Sequence, residues 1–385
     1  MKSSANWLLG LLLVIATAAG AQQPCSAPPK TAVIDWTQFR FTPCHTGFNP
    51  YEALLSPSTV GNLALDWTYT TGNAVYSSPA LVNGVIYVGS EDNNVYALNA
   101  STGAKLWSYT TQGPVYSSPA VVNGVVYVGS DDNNVYALNA SNGSKLWSYS
   151  TGGYVNSSPA VSNGVVYVGS EDNNVYALNA VTGDKLWSFT TGNWVDSSPA
   201  VFNGIVYVGS LDQNVYALNA STGTRLWSYM TGGLVDSSPA VANGLVYVGS
   251  FDGNLYALNA STGAKLWSFH NDGDSYVSSS PAVANGVVYF HVLLSDHAFY
   301  ALNAATGAEL WNFDDAGSIS SPVVANGVVY DCTGFGIWAL NASTGAVLWS
   351  YHIFQGEESS PVIANGVLYV GSDDSNLYAF HLPNH

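Results

Sequence analysis

The side chains best suited to binding chemistry lie just before a Ser-Ser-Pro motif that recurs eight times. The residue directly before the motif, and the one two positions earlier, differ between copies, while the surrounding residues hardly change. Aromatic rings and carboxylates that converge could cradle a sugar, a peptide or a hydrated cation. Neutral drift in exposed loops is the alternative explanation for the variation. The candidate binding residues are Tyr76, Tyr116, Tyr154, Asn156, Trp194, Asp196, Asp236, Tyr276 and Glu358.

Two other sets of polar residues contain possible metal ligands, but neither set predicts a metal site. His291, Asp296 and His297 follow His270, and histidines near a carboxylate can bind zinc or copper. Their spacing matches no tight ligand motif, so we expect a solvated loop and predict no metal site. Seven aspartates lie four residues before a tyrosine, in a turn where aspartate bonds its own backbone. We interpret these aspartates as structural: Asp92, Asp132, Asp172, Asp212, Asp252, Asp296 and Asp374.

The chain that carries these residues repeats with a period close to 40 residues. In the first copy, turn residues at 83–84, 91–93 and 101–103 divide the unit into four short predicted strands, over residues 77–82, 85–90, 94–99 and 104–110. Asn83-Gly84 favours a type I′ hairpin between the first two strands. Eight such units predict an all-β fold, an eight-bladed β-propeller with four-stranded blades. Eight tryptophans mark the repeat, and we assign them to the scaffold: Trp67, Trp107, Trp147, Trp187, Trp227, Trp267, Trp311 and Trp349.

The two ends of the repeat series indicate how the ring closes. The last copy stops near Phe380 without a tryptophan strand, whereas a strand over residues 63–70 precedes the first complete copy. We therefore expect this N-terminal strand to complete the last blade, which leaves no open sheet edge. In such a ring the variable residues share one face, the channel mouth, with the turns between the second and third strands. The opposite face carries the nearly invariant Asn-Gly hairpins and is expected to be scaffold.

The segment from Ala97 to Trp107 resembles a known repeat family. Its pattern Ala-x-Asn-x-x-Thr-Gly-x-x-x-Trp is similar to the pyrroloquinoline-quinone (PQQ) repeat, with Asn99 where that repeat prefers aspartate. The resemblance covers residues 63–382 and implies an eight-bladed propeller. The family includes quinoprotein dehydrogenases and a lipoprotein of the outer-membrane barrel-assembly machinery, so the fold alone does not choose a function.

The N-terminus predicts export. Lys2, an apolar run over residues 7–19 and small residues before Gln22 indicate a signal peptide over residues 1–21. We expect a periplasmic or secreted protein that is not inserted in a membrane after cleavage. Residues 22–62 form a non-repeat extension and residues 63–385 the propeller. In an oxidising compartment Cys25 and Cys44 could form a disulfide, with three unpaired thiols as the alternative.

The charge of the chain narrows the possible partners. Eight Lys and Arg stand against 25 Asp and Glu, so the protein repels polyanions and no nucleic-acid partner is expected. A ring without open edges also favours a monomer. Cations in the repeats fall on predicted outer strands, where they protect the edge: Lys105, Lys145, Lys185, Arg225 and Lys265.

Two functions fit these observations. The first is an exported, non-catalytic binding or assembly scaffold that presents its channel mouth to a protein or a glycan. The alternative, which the resemblance implies, is a dehydrogenase of alcohols or sugars that uses PQQ and Ca²⁺, with Trp194 stacking on the quinone and Asp196 or Asp236 as the base. The sequence contains neither an adjacent cysteine pair nor a Cys-x-x-Cys-His haem motif. We prefer the first function because PQQ carries three carboxylates, which an acidic mouth would repel.

Overall fold

The computed structural model describes residues 34–270, 275–294, 298–314, 320–334, 336–353 and 359–383. In these residues the chain forms eight antiparallel sheets with four principal strands each, arranged as the blades of a ring. The predicted all-β, eight-bladed β-propeller is therefore confirmed. No helix in this part of the chain is long and apolar enough to cross a membrane.

The strands of each blade follow one another outward, and the first strand of every blade contacts the first strands of both neighbours. These innermost strands are β3 (Ala80–Val82), β7 (Ala120–Val122), β11 (Ala160–Ser162), β15 (Ala200–Phe202), β19 (Ala240–Ala242), β24 (Ala282–Ala284), β28 (Val323–Ala325) and β32 (Val362–Ala364). The second strands are β4 (Val85–Gly89), β8 (Val125–Ser130), β12 (Val165–Ser170), β16 (Ile205–Gly209), β20 (Leu245–Gly249), β25 (Val287–Leu294), β29 (Val328–Thr333) and β33 (Val367–Gly371).

The two outer positions of the blades are equally regular. The third strands are β5 (Asn94–Asn99), β9 (Asn134–Asn139), β13 (Asn174–Asn179), β17 (Asn214–Asn219), β21 (Asn254–Asn259), β26 (Ala298–Asn303), β30 (Gly336–Asn341) and β34 (Asn376–His381). The outermost strands are β2 (Ala64–Thr70), β6 (Lys105–Thr110), β10 (Lys145–Ser150), β14 (Lys185–Thr190), β18 (Arg225–Met230), β22 (Lys265–His270), β27 (Glu309–Asp314) and β31 (Val347–His352). A 3-10 helix (Val60–Asn62) and two added strands, β1 (Phe48–Asn49) and β23 (Ser275–Tyr276), complete the set.

The first blade shows how each turn supports this order. Asn83 and Gly84 both have positive φ angles, 51° and 73°, as the type I′ hairpin predicted between β3 and β4 requires. The closure of the ring is also as predicted, because β2 pairs with β34 and becomes the outermost strand of the last blade. Trp349 adds to this closure by donating its indole N–H to the Leu63 carbonyl at 3.1 Å.

The innermost strands are shorter than predicted, and the Ser-Ser-Pro motif explains the difference. Residues 77–79 do not pair within the blade, because proline lacks an N–H and the Ser78 N–H donates to the Ser118 hydroxyl of the next blade at 2.9 Å. The equivalent bond recurs around the ring until the Ser360 N–H donates to the Ser78 hydroxyl at 3.0 Å. The motif is therefore a closed circle of hydrogen bonds between blades.

Each scaffold tryptophan joins two blades. The Trp67 indole donates to the Ala100 carbonyl of the next blade at 3.1 Å, and its ring packs against Gly103. Gly103 has a φ of 67°, and a Cβ there would lie 2.6 Å from the Trp67 ring, so two constraints select glycine. In the first blade a β-bulge in the outermost strand turns Leu106, which is 52% exposed, toward solvent, while Trp107 faces inward.

The extension contributes a second ring that the sequence did not predict. Residues 36–49, the N-terminal segment, run around the innermost strands and bond one blade after another. The Trp36 N–H donates to the Leu81 carbonyl at 2.7 Å, and the Asn49 amide donates to the Ile363 carbonyl at 2.7 Å. Between these ends the segment accepts the backbone N–H groups of Val121, Val161, Val201, Val241, Val283 and Val324. Its buried side chains fill the inside of the ring near the Asn-Gly hairpins, at Trp36, Arg40, Phe41 and His45.

Candidate functional site

The variable loops and the turns between the second and third strands meet on one face of the ring. The Glu91 N–H donates to the Ala74 carbonyl at 3.0 Å, and the Val115 N–H donates to the Ser90 carbonyl at 3.1 Å. These bonds hold the loop over residues 72–76 and the next blade's loop against the turn over residues 91–93. We call the surface formed by these loops and turns, and by their counterparts in the other blades, the mouth.

At the mouth the structure brings together the predicted residues of the first three blades. Tyr76 and Tyr116 are partly buried and stack with their ring centroids 5.6 Å apart. The Tyr116 hydroxyl donates to a Glu91 carboxylate oxygen at 2.6 Å, and the Asn156 amide donates to Glu171 at 2.9 Å. The variable position and the first residue of the adjoining turn thus form one hydrogen-bonded layer.

The other predicted aromatic residues stand at the rim of the mouth. Tyr154 is 49% exposed and Trp194 is 47% exposed, which is unusual for such large side chains. Tyr276 is 39% exposed and stacks on Phe251, with ring planes 9° apart and centroids 5.0 Å apart. Glu358, the ninth predicted residue, lies outside the described residues.

Sequence reasoning missed four carboxylates that belong to the same surface. Each directly precedes a turn aspartate that was interpreted as structural, and they are Glu91, Asp131, Glu171 and Asp373. A signal was present, because the position varies between blades and carries Leu211 and Phe251 in the fourth and fifth. With Asp196 and Asp236, these residues form an arc of six carboxylates over the eighth blade and the first five; we call it the acidic arc.

Burial and neighbouring negative charges raise the pKa values of two carboxylates within the acidic arc. Burial and the charges of Asp236, Glu171 and Asp131 raise the pKa of Asp196 to about 7. Burial, together with Glu171, Asp132 and Glu91, raises the pKa of Asp131 to about 6. Because like charges at short range disfavour ionisation, ionising these carboxylates at neutral pH costs free energy.

The carboxylates at the two ends of the arc also have raised pKa values, from burial first of all. Burial raises the pKa of Asp236 to about 6, and burial with Glu91 and Asp374 raises the pKa of Asp373 to about 6. Several oxygens of this surface are buried and accept no hydrogen bond from the described residues, at Asp131, Asn156, Asp196 and Asp373. A buried oxygen without a donor costs free energy, and this cost adds to that of charging the carboxylates of the arc.

None of the described lysine and arginine side chains neutralises the negative charge of the acidic arc. The five repeat cations each begin an outermost strand, as expected, and are exposed there. The remaining described cation, Arg40, is buried in the N-terminal segment and donates to the carbonyl oxygens of His45 and Pro322 at 3.2 and 3.1 Å. Burial lowers the pKa of Arg40 to about 9, with no carboxylate to offset it.

The turn aspartates behave as the sequence analysis expected where the structure describes their bonds. Asp92 accepts the Tyr96 hydroxyl and the Gly72 N–H on one oxygen, both at 2.6 Å, and the Asn94 N–H on the other at 3.0 Å. Burial alone would raise the pKa of Asp92, but hydrogen bonds from Tyr96, Gly72 and Asn94 outweigh it and lower the pKa. This carboxylate therefore ties the mouth loop to the turn.

The histidines of the sixth blade need a correction. His291 does not lie in a solvated loop but in β25, fully buried, where its Nε2 contacts the Asp331 carboxylate of the next blade. The position of His291 holds glycine in most blades. The His291–Asp331 pair therefore replaces a close packing contact with a buried polar contact. Asp296 and His297 lie outside the described residues. In the described residues no three His, Cys, Asp or Glu side chains are arranged to hold a metal ion.

The structure describes only half of the expected disulfide. Cys44 is disulfide-bonded in the N-terminal segment, whereas Cys25 lies outside the described residues. The third cysteine, Cys332, is a buried thiol in β29. The pairing of Cys25 with Cys44 therefore stays a prediction.

Comparisons with known proteins agree with this architecture. The family model described as outer membrane protein assembly factor BamB matches residues 62–158, 150–234 and 230–384. Among solved structures the chain is similar to BamB from Moraxella catarrhalis, at 18% identity and a TM-score of 0.72 over 83% of this chain and 99% of that one. No curated protein matches the sequence significantly.

Two further solved structures are similar in fold. Quinohemoprotein alcohol dehydrogenase from Comamonas testosteroni is 17% identical, with a TM-score of 0.79 over 91% of this chain and 81% of that one. The computationally designed Ika8 protein is 19% identical, with a TM-score of 0.70 over 81% and 97%. At these identities the likeness shows the propeller fold and not an activity. The family model spans nearly the whole ring, as the PQQ-like repeat predicts, so the chain belongs to the family of outer membrane protein assembly factor BamB.

Proposed function

We propose that the protein is an exported, non-catalytic scaffold that binds a partner protein at its mouth through the partner's lysine or arginine side chains. The observation that carries the proposal is the acidic arc, whose six carboxylates face no neutralising side chain among the described residues. Burial first and mutual repulsion second raise the pKa values of Asp131 and Asp196, and a cationic partner would offset both effects. Charge complementarity of this kind steers association and selects partners.

The rim of the mouth supplies the apolar part of such an interface. Tyr154, Trp194 and Tyr276 are exposed next to the carboxylates, and tyrosine and tryptophan often provide most of the energy of protein interfaces. The family is described as an outer membrane protein assembly factor, and this description favours a protein over a glycan as the partner. A partner with basic and apolar residues together matches both parts of the surface.

Export and a monomeric state belong to the same proposal. The predicted signal peptide lies outside the described residues, so its support comes from the sequence and from the family. The pairing of β2 with β34 leaves the last blade with its fourth strand in place, which supports a ring that does not recruit a second copy by strand addition.

The quinoprotein alternative fits the mouth poorly. PQQ when bound would supply a two-electron oxidant, and in that reading Trp194 would hold the quinone with Asp196 or Asp236 as the base. However, PQQ is itself a tricarboxylate, and the acidic arc already raises the pKa of Asp196 to about 7 by burial and like charge. Arg40 is directed at backbone carbonyls of the N-terminal segment and of Pro322. We therefore derive no catalytic step for this chain.

Binding of a labelled nona-lysine peptide tests the proposal, with the fully acetylated peptide as a control for charge. We expect the Asp196→Asn, Asp236→Asn double variant to bind roughly tenfold more weakly, a difference of about 1.4 kcal/mol. The matched control removes the same charge away from the mouth, by Asp184→Asn with Glu309→Gln, which are both exposed. Equal affinity of the parent and both variants, or equal binding of the acetylated peptide, would contradict the proposal.

A further inference from the structure

The contact between the sixth and seventh blades differs from the contacts between the other blades. His291 of β25 and Asp331 of β29 are 0% and 1% exposed, and their Nε2 and Oδ2 atoms lie 2.5 Å apart. The six blades other than these two carry valine and then glycine at the equivalent positions, as in Val88-Gly89. Asp331 stands in place of that valine and His291 in place of that glycine. A buried polar pair therefore replaces small and apolar residues at one contact in the ring.

The pair occupies a place where the other blades hold a loop of the mouth. A Cβ at Gly89 would collide with Val115, which belongs to the mouth loop of the next blade. The Gly89 N–H donates to the Ser77 hydroxyl at 3.1 Å, and the His291 N–H keeps the equivalent bond to the Ser279 hydroxyl at 2.8 Å. The strand of His291 thus keeps its position within the blade, and it is the contact with the next blade that has changed.

The surroundings of the pair are apolar. The ring centroids of His291 and Phe299 lie 4.9 Å apart, and Trp338 stands opposite Asp331 on the adjacent strand β30. The Cys332 N–H bonds the Asp331 carboxyl, and among the described residues no titratable side chain other than His291 influences this carboxyl. Burial raises the pKa of Asp331, although the charge and the hydrogen bond of His291 act in the opposite direction. The two groups must therefore balance each other's charge.

Charge balance in such a site requires that the pair hold a proton tightly. The short contact places one proton between Nε2 and Oδ2, since two lone pairs would otherwise face each other. With that proton alone the pair has a net charge of −1, whereas a further proton on the imidazole makes it neutral overall. An unbalanced buried charge is far more costly than a buried neutral pair. Above pH ~6.5 the folded pair therefore holds one proton more than the same groups hold in the unfolded chain.

We propose that the His291–Asp331 pair is a pH-sensitive lock that joins the sixth and seventh blades and loosens in alkaline solution. The stabilising contribution of the extra proton is complete below pH ~6.5, where the histidine of the unfolded chain is also protonated, and is lost as the pH rises. Loss of the proton leaves an unbalanced negative charge between the two blades. The lock uses none of the carboxylates of the acidic arc, so it does not depend on the proposed function.

Hydrogen exchange of the backbone amides, measured by mass spectrometry at pH 7 and pH 9 and corrected for the intrinsic exchange rates, tests the lock. We expect the opening equilibrium constant of β25 and β29 to rise at least fivefold between these pH values, and release of one proton allows at most about a hundredfold rise. The control is the contact between β8 and β12 of the second and third blades, where Gly129 packs against Val155 and no rise is expected. The acidic arc titrates at lower pH, because the pKa values of Asp131 and Asp196 are about 6 and about 7.

Two variants remove the titrating pair with little change in shape. We expect the rise in β25 and β29 to disappear in Asp331→Asn and in His291→Gln, and melting curves check that both variants are folded. The comparison of the two contacts within the parent needs no variant, so it tests the lock even if a variant does not fold. A rise that persists in a folded Asp331→Asn protein, an equal rise in β8 and β12, or no rise in the parent would overturn the proposal.

Discussion

Replacing one carboxylate of the acidic arc should stabilise the protein, which is an uncommon outcome for a substitution at a partly buried position. The change is Asp196→Asn, which keeps the shape of the side chain and removes its charge. The pKa of Asp196 rises from 3.8 to about 7, because of burial and because of Asp236, Glu171 and Asp131. A difference of one in pKa corresponds to about 1.4 kcal/mol, so the ceiling of the effect is ~4 kcal/mol.

Because the pKa of Asp196 is raised, the effect of the substitution on the free energy of unfolding depends on pH. The folded protein holds a proton on Asp196 more tightly than the unfolded chain does, so the ionised carboxylate destabilises the fold fully above pH 7. This penalty shrinks as the pH falls from 7 toward 4, below which both states are protonated. Solvent contact and the relaxation of neighbouring carboxylates reduce the ceiling, so we expect Asp196→Asn to add ~1–2 kcal/mol at pH 8 and nothing at pH 4.

Urea denaturation at several pH values between 4 and 9 measures this effect, and the chain offers a control of opposite sign. Asp172 accepts the Tyr176 hydroxyl at 2.6 Å and the Gly152 N–H at 2.7 Å, so Asp172→Asn places an amide donor against donors. We expect this control to lose ~1–3 kcal/mol at pH 8. If Asp196→Asn is instead neutral or destabilising at pH 8, the reasoning about repulsion within the arc is refuted.

Three further predictions concern the scaffold and the N-terminus. Trp187→Ala should cost ~3–5 kcal/mol in a denaturation curve because it opens a gap between blades, whereas Trp194→Ala at the exposed rim should cost under ~0.5 kcal/mol; equal losses would mean that Trp194 belongs to the core. Ser158→Ala should cost ~1–3 kcal/mol by thermal melting because the buried Ser118 N–H loses its acceptor, and an unchanged melting temperature would show that the serine circle does not stabilise the ring. Mass spectrometry of the exported protein should place Gln22 at its N-terminus, and a retained Met1 would contradict export.

The fold was predictable because each local signal repeats and agrees with the others. Asn83-Gly84 specifies a turn geometry, Trp67 needs a neighbour to cover it, and Gly103 is required where that ring packs. The extent of the innermost strand was predicted wrongly because Ser77 and Ser78 have ordinary strand propensity. Only the ring places another serine hydroxyl within reach of the Ser78 N–H.

Only some residues of the mouth could be identified from the sequence. Asp196 and Asp236 were found because they interrupt a nearly invariant loop, but Glu91 and Asp131 were hidden in a turn whose composition already has a structural explanation. Their role depends on distances between blades, since Asp131 affects Asp196 across two repeats. No pattern within one repeat contains that information.

The N-terminal segment was not predictable because it has no period. It binds the blades mainly through backbone groups, as in the bond from the Val241 N–H to the Cys44 carbonyl at 2.9 Å, and such bonds leave little trace in side-chain type. Its backbone also uses left-handed geometry at Arg40, Phe41 and His45, where sequence rules expect glycine or asparagine.

The most direct test of the central proposal is to ask which face meets the partner in the living cell. A photocrosslinking amino acid replaces Tyr154 at the rim of the mouth or, as the control, Val181, which is 84% exposed on the opposite face. We predict a discrete crosslinked protein from position 154 that disappears when Asp196→Asn and Asp236→Asn are added, and none from position 181. Crosslinks only from position 181, or crosslinks at position 154 that persist in the neutralised protein, would contradict a scaffold that binds through its acidic mouth.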